Sequence, residues 1–228
     1  MNMNIQLIEY LKQFISEARW NRINEVLDNR TDHITVVLED IYQPHNASAV
    51  LRSCDGFGIQ NVHIIENNNV FDASSEVTIG ADQWLSLHRY KKTDSDNVAD
   101  CFEFLRKEGY QIVATTPHEN DHNLDELEIT KPTALVFGTE LDGVTDQVME
   151  QADAFVKIPM SGFSESFNIS VSAAICLYDT SNRLRRSVPK TEWVLSESRR
   201  EELLLEWVKK SIKAGDKLAE KWLAENRT

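Results

Sequence analysis

Near the amino terminus the apolar residues recur at helical spacing: Ile5, Leu7, Ile8, Leu11, Phe14 and Ile15, then Ile23, Val26 and Leu27. That period predicts one or two short helices over residues 4–28 packed against something else. From His33 the period changes. Residues Ile34 to Leu38 read Ile-Thr-Val-Val-Leu, a compact β-branched run expected to form a buried strand. Comparable short runs follow at Val62–Ile65, Gln111–Thr115, Thr133–Phe137 and Phe155–Ile158. Helical stretches separate them. Asn46 is expected to cap a helix from Ala47 to about Phe57, which Gly58 would end. A second should run over 96–108 and close at Gly109, and a third from about Asn168 to Ser181. After Pro189 the chain turns charged and helical, with Trp193, Leu203, Leu204, Leu205, Trp207, Trp222 and Leu223 as packing residues. Strands alternating with helices in this way indicate an α/β fold: a mostly parallel sheet with helices on both faces. The expected organisation is a helical extension at 1–30, a core domain at 31–180 and a helical extension at 181–228.

Composition narrows the class. A chain of 228 residues supports one principal core with appendages. Its 41% hydrophobic and 27% charged content is that of an ordinary globular protein. No leader peptide and no membrane-length apolar run is visible, so a cytoplasmic protein without a membrane partner is expected. Cys54, Cys101 and Cys176 lie far apart, which suits reduced buried thiols better than a disulfide frame or a zinc site. The net charge of −13 argues against a nucleic-acid partner, until its distribution is considered. Residues 31–180 carry 25 acidic against 8 basic groups, whereas 181–228 carry 12 basic against 8 acidic. Arg183, Arg185, Arg186, Lys190, Arg199 and Arg200 concentrate the positive charge there. Such a cluster is either a solvated helix face or a local grip on RNA.

Ligands of open parallel sheets sit outside the carboxyl ends of the strands, and three segments following strands carry unusual residues. In the first, running from Pro44 to Gly58, Asn46 opens the helix and Arg52 stands in an otherwise small and apolar stretch. Its planar fork suits a phosphate or a developing alkoxide, although a surface salt bridge is the plainer role. The second, Phe137-Gly-Thr-Glu-Leu-Asp-Gly143, places Gly138 at a strand end, where a ligand can approach backbone, and Glu140 at the mouth of the sheet. A plain turn is the alternative. The third runs from Ile158 to Ser170 and mixes apolar Ile158, Met160 and Phe167 with small and hydroxyl residues before Asn168. It suits a flat ring flanked by apolar groups, or else is a long connection ending in an asparagine cap.

In this order the three loops resemble the three motifs of the SpoU/TrmH branch of the SPOUT methyltransferases. Asn46, Ala49, Arg52 and Gly58 match the first, Phe137, Gly138, Glu140 and Gly143 the second, and Ile158, Pro159, Met160, Gly162, Ser166, Asn168 and Ser170 the third. Gly80-Ala-Asp-Gln-Trp-Leu85 is similar to a further family segment, and the likeness spans roughly residues 22–180. One departure is Phe-Ser-Glu-Ser-Phe between Gly162 and Asn168, where Glu165 adds a charge and Phe167 keeps the apolar character.

The resemblance implies a deep trefoil knot on the carboxyl side of the domain and a homodimer whose active site is shared between subunits. It further implies S-adenosyl-L-methionine as cofactor, held among Thr115, Gly138, Ile158, Met160 and Phe167. The implied reaction is 2′-O-methylation of a ribose in RNA. Arg52 would be catalytic, as base or as stabiliser of the oxyanion; because a guanidinium ordinarily keeps its proton, its exact role stays open. Glu140 and Ser166 would hold the site together, and Asn46 and Asn168 would position substrate and loops. Relatives acting on ribosomal RNA often carry a large amino-terminal domain. Here only about thirty residues precede the first strand, so the layout looks like that of enzymes modifying guanosine 18 in the D-loop of tRNA. Arg22, Arg183, Arg185 and Arg186 are the expected RNA contacts. Ribosomal RNA, another tRNA position, or a non-catalytic RNA-binding member of the fold remain alternatives. No metal is expected: His118-Glu-Asn-Asp-His122 spells H-E-x-x-H but follows Thr-Thr-Pro, not an amphipathic helix. A dinucleotide oxidoreductase is disfavoured because no G-x-G-x-x-G follows a strand.

Overall fold

A computed structural model describes residues 3–72, 78–117 and 122–226. These divide into two compact units, Thr31–Trp193 and a second made of Met1–Arg30 with Val194–Thr228.

In the larger unit the apolar runs form strands β1 (Ile34–Glu39), β2 (Asn61–Ile65), β3 (Ser86–Tyr90), β4 (Gln111–Thr115), β5 (His122–Asn123), β6 (Thr133–Phe137) and β7 (Ala154–Lys157). Among the described residues these make one sheet in the order β3-β2-β1-β6-β4-β7-β5, with every pairing parallel. The inner strand β1 sets Val36 opposite Val62 on one side and Leu135 on the other. It is buried at every position, as a strand covered on both faces must be.

Connections between parallel strands are right-handed, so the direction of each step fixes the face its helix covers. In chain order the helices of this unit are α3 (Pro44–Phe57), α4 (Asn97–Lys107), α5 (Asp146–Gln151), α6 (Ile169–Ser187) and the short α7 (Lys190–Trp193). The step from β1 to β2 runs towards one edge and carries α3. Those from β3 to β4 and from β6 to β7 run the opposite way and carry α4 and α5 to the other face. There Val98, Cys101, Phe102 and Leu105 of α4 and Val148 of α5 pack on Val37, Ile65, Ile112, Ala114, Ala134 and Val136. The alternate residues Val36, Leu38, Val113 and Leu135 point to the α3 face and are equally buried. α3 and α6 pack on each other.

Most elements lie where the periodicity puts them, with three corrections. The first helix starts at Pro44, whose fixed φ suits the first helical position; Gln43 is the cap, and Asn46 sits inside the first turn. The last core helix runs to Ser187, beyond Ser181, because Leu184 is still buried on the domain. The domain edge at 180 therefore falls within a helix. β3 and β5 are strands that the periodicity does not predict. Cys54, Cys101 and Cys176 are all free and buried.

The smaller unit combines both ends of the chain: α1 (Met3–Lys12), α2 (Glu17–Leu27), α8 (Glu197–Lys210) and α9 (Gly215–Asn226). Its interior holds Leu7, Leu11, Ile23, Leu27, Leu203, Trp207 and Val208. The buried Arg30 guanidinium lies 5.2 Å from the Trp207 ring centroid, and Arg200 donates to Asp28 Oδ1 and Asn24 Oδ1, each at 2.9 Å. Among the described residues no helix is long and apolar enough to cross a membrane.

Candidate active site

A cleft of about 640 Å³ opens at the carboxyl ends of β4, β6 and β7, where a parallel sheet is expected to hold its ligand. Three segments wall it: Thr115–Pro117 after β4, Phe137–Val144 after β6, and Ile158, Met160 and Glu165–Phe167 after β7, with Ile169, Ser172 and Cys176 of α6 behind.

The loop after β6 is the tightest of the three. Thr139 and Gly143 bond reciprocally, the Thr139 N–H to the Gly143 carbonyl at 2.8 Å and the Gly143 N–H to the Thr139 carbonyl at 3.1 Å. The Thr139 hydroxyl also accepts the Asp142 N–H at 3.1 Å. Gly138 must be glycine for this closure, since a Cβ would stand 2.0 Å from the Gly143 carbonyl oxygen. Gly143 turns the chain with φ +70°. The strand wall is fixed by Thr115, whose hydroxyl donates to the Val136 carbonyl at 2.9 Å.

Apolar and polar surface alternate in the cleft. Val156, Ile158, Met160, Phe167 and Ile169 supply the apolar part, with Phe167 39% exposed. Glu140, Asp142, Asp146 and Glu165 are the charged groups of the lining, which among the described residues includes no lysine, arginine or histidine.

Beside the cleft one asparagine ties three segments together. Asn168 caps α6, its Oδ1 accepting the Ser170 N–H at 2.8 Å. Its amide Nδ2 donates to Asn46 Oδ1 at 3.2 Å and, in a short contact, to Glu140 Oε1. Asn46, 8% exposed, in turn donates to Gln43 Oε1 at 2.7 Å. The residues singled out in sequence from three distant segments thus meet in one hydrogen-bonded cluster.

Of the residues expected to hold a cofactor, Thr115, Gly138, Ile158, Met160 and Phe167 all line the cleft, as do Glu140 and Ser166. Arg52 does not. It lies exposed on α3, outside the lining of the cleft. The expected RNA contacts separate. Arg183 directs its fork inward, donating to Asp179 Oδ2 at 2.7 Å and to the carbonyls of Leu127 and Leu124 at 2.6 and 2.8 Å. Arg185 donates to the Phe57 carbonyl at 2.8 Å and lies over the Trp193 ring, and burial lowers its pKa. Both are committed to holding the fold. Arg186 is exposed, and Arg22 is exposed in an ion pair with Glu25 at 2.8 Å. The His118–Asp121 part of the H-E-x-x-H sequence lies outside the described residues, while His122 begins β5.

Glu39 is not among the residues that the sequence marks out for the site. This buried carboxylate at the end of β1 accepts the Thr145 N–H at 2.9 Å and the Thr145 hydroxyl at 2.6 Å. A charged residue closing an apolar strand run was the available signal.

The family model of the SpoU rRNA Methylase family matches residues 33–178. The chain belongs to this family. Its SpoU relatives include a tRNA (guanosine(18)-2′-O)-methyltransferase of Borreliella burgdorferi, 39% identical over 92% of this chain and 93% of the relative. Among solved structures, the Aquifex aeolicus TrmH/SpoU tRNA modifying enzyme aligns with a TM-score of 0.76 at 30% identity, covering 86% of this chain and 98% of that one. The SpoU methyltransferase AviRb from Streptomyces viridochromogenes, solved in complex with the cofactor AdoMet, aligns at 0.60 and 25% identity over 72% and 65% of the two chains.

Proposed function

We propose that this SpoU-family chain methylates the ribose 2′-oxygen of guanosine 18 in tRNA, using S-adenosyl-L-methionine. The observation that carries the reading is the meeting of Asn46, Glu140 and Asn168 beside the cleft, in a chain matched almost end to end by a guanosine-18 enzyme. That match includes the segments flanking the core, which favours tRNA over ribosomal RNA as substrate.

The cleft fits the cofactor. Its volume lies in the ~300–1,000 Å³ range of small-molecule sites. Ile158, Met160 and Phe167 would flank the adenine, while Thr115 and the backbone at Gly138 would meet its polar edges. The all-acidic charge of the lining suits a sulfonium. When bound, S-adenosyl-L-methionine supplies an electrophilic methyl group.

What remains for the protein is alignment and the hydroxyl proton. Asn168 orients Glu140 and Asn46 through its amide, so the cofactor loop and the start of α3 keep a fixed spacing. The Arg52 guanidinium is the group to hold the ribose hydroxyl and stabilise the alkoxide emerging from it. Its exposure, away from the cleft of its own chain, supports a homodimer in which Arg52 of one subunit serves the cleft of the other. A trefoil knot threading α6 past the 138–145 loop is part of the same reading. Arg22 and Arg186 are the exposed cations we assign to RNA phosphates, with Arg183 and Arg185 holding the surface that carries them. The enzyme would work in the cytoplasm without a metal.

Transfer of a radiolabelled methyl group to unmodified total tRNA, followed by mapping of the product, tests this. Label is expected at guanosine 18 and should fall at least a hundredfold for Arg52→Ala, the order of effect of losing a transition-state donor. Label absent from tRNA but present in unmodified ribosomal RNA offered in a parallel reaction would overturn the substrate. Full turnover by Arg52→Ala would overturn the site.

A further inference from the structure

At the end of β1 two adjacent carboxylates, Glu39 and Asp40, serve different loops. Asp40, at φ +53°, collects the backbone N–H groups of Asn67, Asn68 and Asn69 at 2.7, 2.8 and 3.2 Å. Glu39, 1% exposed, turns to Thr145, 106 residues away, and gives it both carboxylate oxygens. Thr145 directly follows the closed 138–144 loop and caps α5, its hydroxyl accepting the Val148 N–H at 3.4 Å. One residue is therefore the foot of the loop that walls the cleft and the start of the next helix. On the other side of Glu39, four residues separate it from Pro44, where the helix carrying Asn46 and Arg52 begins.

A carboxylate is an expensive choice for this spot. Burial and the neighbouring charge of Asp40 both push its pKa up, against the hydrogen bonds from Thr145 that pull it down. An apolar side chain would fill the end of β1 without that penalty, but would leave the Thr145 N–H and the loop foot without their acceptor.

We propose that Glu39 is a positioning residue for the cofactor: by clamping Thr145 it fixes the foot of the loop that walls the cleft. This rests on reading the cleft as the cofactor site. Glu39 touches no reacting atom and acts only through Thr145.

The test is titration calorimetry of S-adenosyl-L-methionine and, separately, of unmodified tRNA into the purified full-length protein and its variants. Glu39→Ala is expected to weaken cofactor binding about tenfold, in keeping with loss of hydrogen bonds to a charged acceptor, and to leave tRNA affinity within about twofold. Glu39→Gln keeps an acceptor for the N–H and a donor for the hydroxyl oxygen, so it should recover most of the cofactor affinity. Thr145→Val, which removes only the hydroxyl, should fall between. The proposal is overturned if folded Glu39→Ala binds the cofactor as tightly as wild type, or if cofactor and tRNA affinities fall together. It is equally overturned if Glu39→Gln is as weak as Glu39→Ala. Should Glu39→Ala fail to fold, wild-type affinity in Thr145→Val would overturn it. Failure of the wild-type protein to bind the cofactor would instead strike the functional reading itself.

Discussion

Asn168 holds an acceptor and a donor on one short side chain, and the two serve different ends. The oxygen caps α6, while the amide reaches Asn46 and Glu140. Substitution can separate these roles. Aspartate caps a helix about as well as asparagine, yet it would set a carboxylate against Glu140 where an N–H now donates. Asn168→Asp should therefore bind S-adenosyl-L-methionine at least tenfold more weakly than wild type, with part of the loss recovered in high salt. Asn168→Ser, which keeps a cap and brings no charge, should lose less. Calorimetry at two ionic strengths distinguishes them, and equal losses would remove the like-charge explanation. Glu39 offers a contrast in sign. Its pKa is raised in the folded state, so its ionisation opposes folding: its contribution is most favourable below the ordinary value of 4.5 and worsens as pH climbs through the folded pKa. Glu39→Gln should then melt higher than wild type at pH 8 and converge with it near pH 4. A lower melting temperature at pH 8 would mean that the charged hydrogen bonds outweigh the desolvation.

Among the elements, the edge of the sheet carries its own titration. His63 on β2 stacks on His88 of β3 at 4.6 Å between ring centroids, with the Tyr90 hydroxyl 3.1 Å from Nδ1 and Phe104 of α4 alongside. Burial, then the neighbouring His88, lower the His63 pKa from 6.5 to about 3. A base depressed on folding contributes stability that is present above its unfolded pKa and is lost as pH falls below about 6.5. Between there and pH 5 the loss is on the order of 2 kcal/mol. His63→Phe should flatten that decline in urea unfolding midpoints, and an unchanged slope would place the acid sensitivity elsewhere. The same stack explains why β3 was not legible in the sequence. Ser86-Leu-His-Arg-Tyr90 has no aliphatic run, and its partly buried positions are filled by Ser86, His88 and Tyr90. By contrast β4 and β6, buried between helix layers, announce themselves as continuous apolar runs and match their expected bounds. The site was legible as a set of residue types in three loops. That Asn168 touches both others is a matter of tertiary approach, which periodicity cannot convey. Glu39 stayed hidden because its partner lies 106 residues away.

At the scale of the whole molecule, the cleft and the proposed catalytic arginine pose a single question. Every expected cofactor residue lines one cleft, but Arg52 stands exposed on α3, outside that lining. Tyr178, Val171 and Phe163 are exposed apolar groups on α6 and the loop before it, a surface a second copy of the chain would cover if the enzyme is a dimer. In a two-fold dimer the same patch would meet itself, and in the proposed shared site Arg52 of one subunit would serve the cleft of the other. Two inactive variants should then complement each other. Arg52→Ala keeps an intact cleft, and Met160→Trp fills the cleft but keeps the arginine. Co-folded in equal amounts, half of the dimers are mixed, and each mixed dimer contains one site with both parts intact. Activity should return to about a quarter of the wild-type value, as random pairing requires. Tagging one variant and showing that the other is carried with it establishes that mixed dimers form. If they form and the methyl transfer stays at the level of the separate variants, Arg52 serves the cleft of its own chain, and the shared-site reading fails.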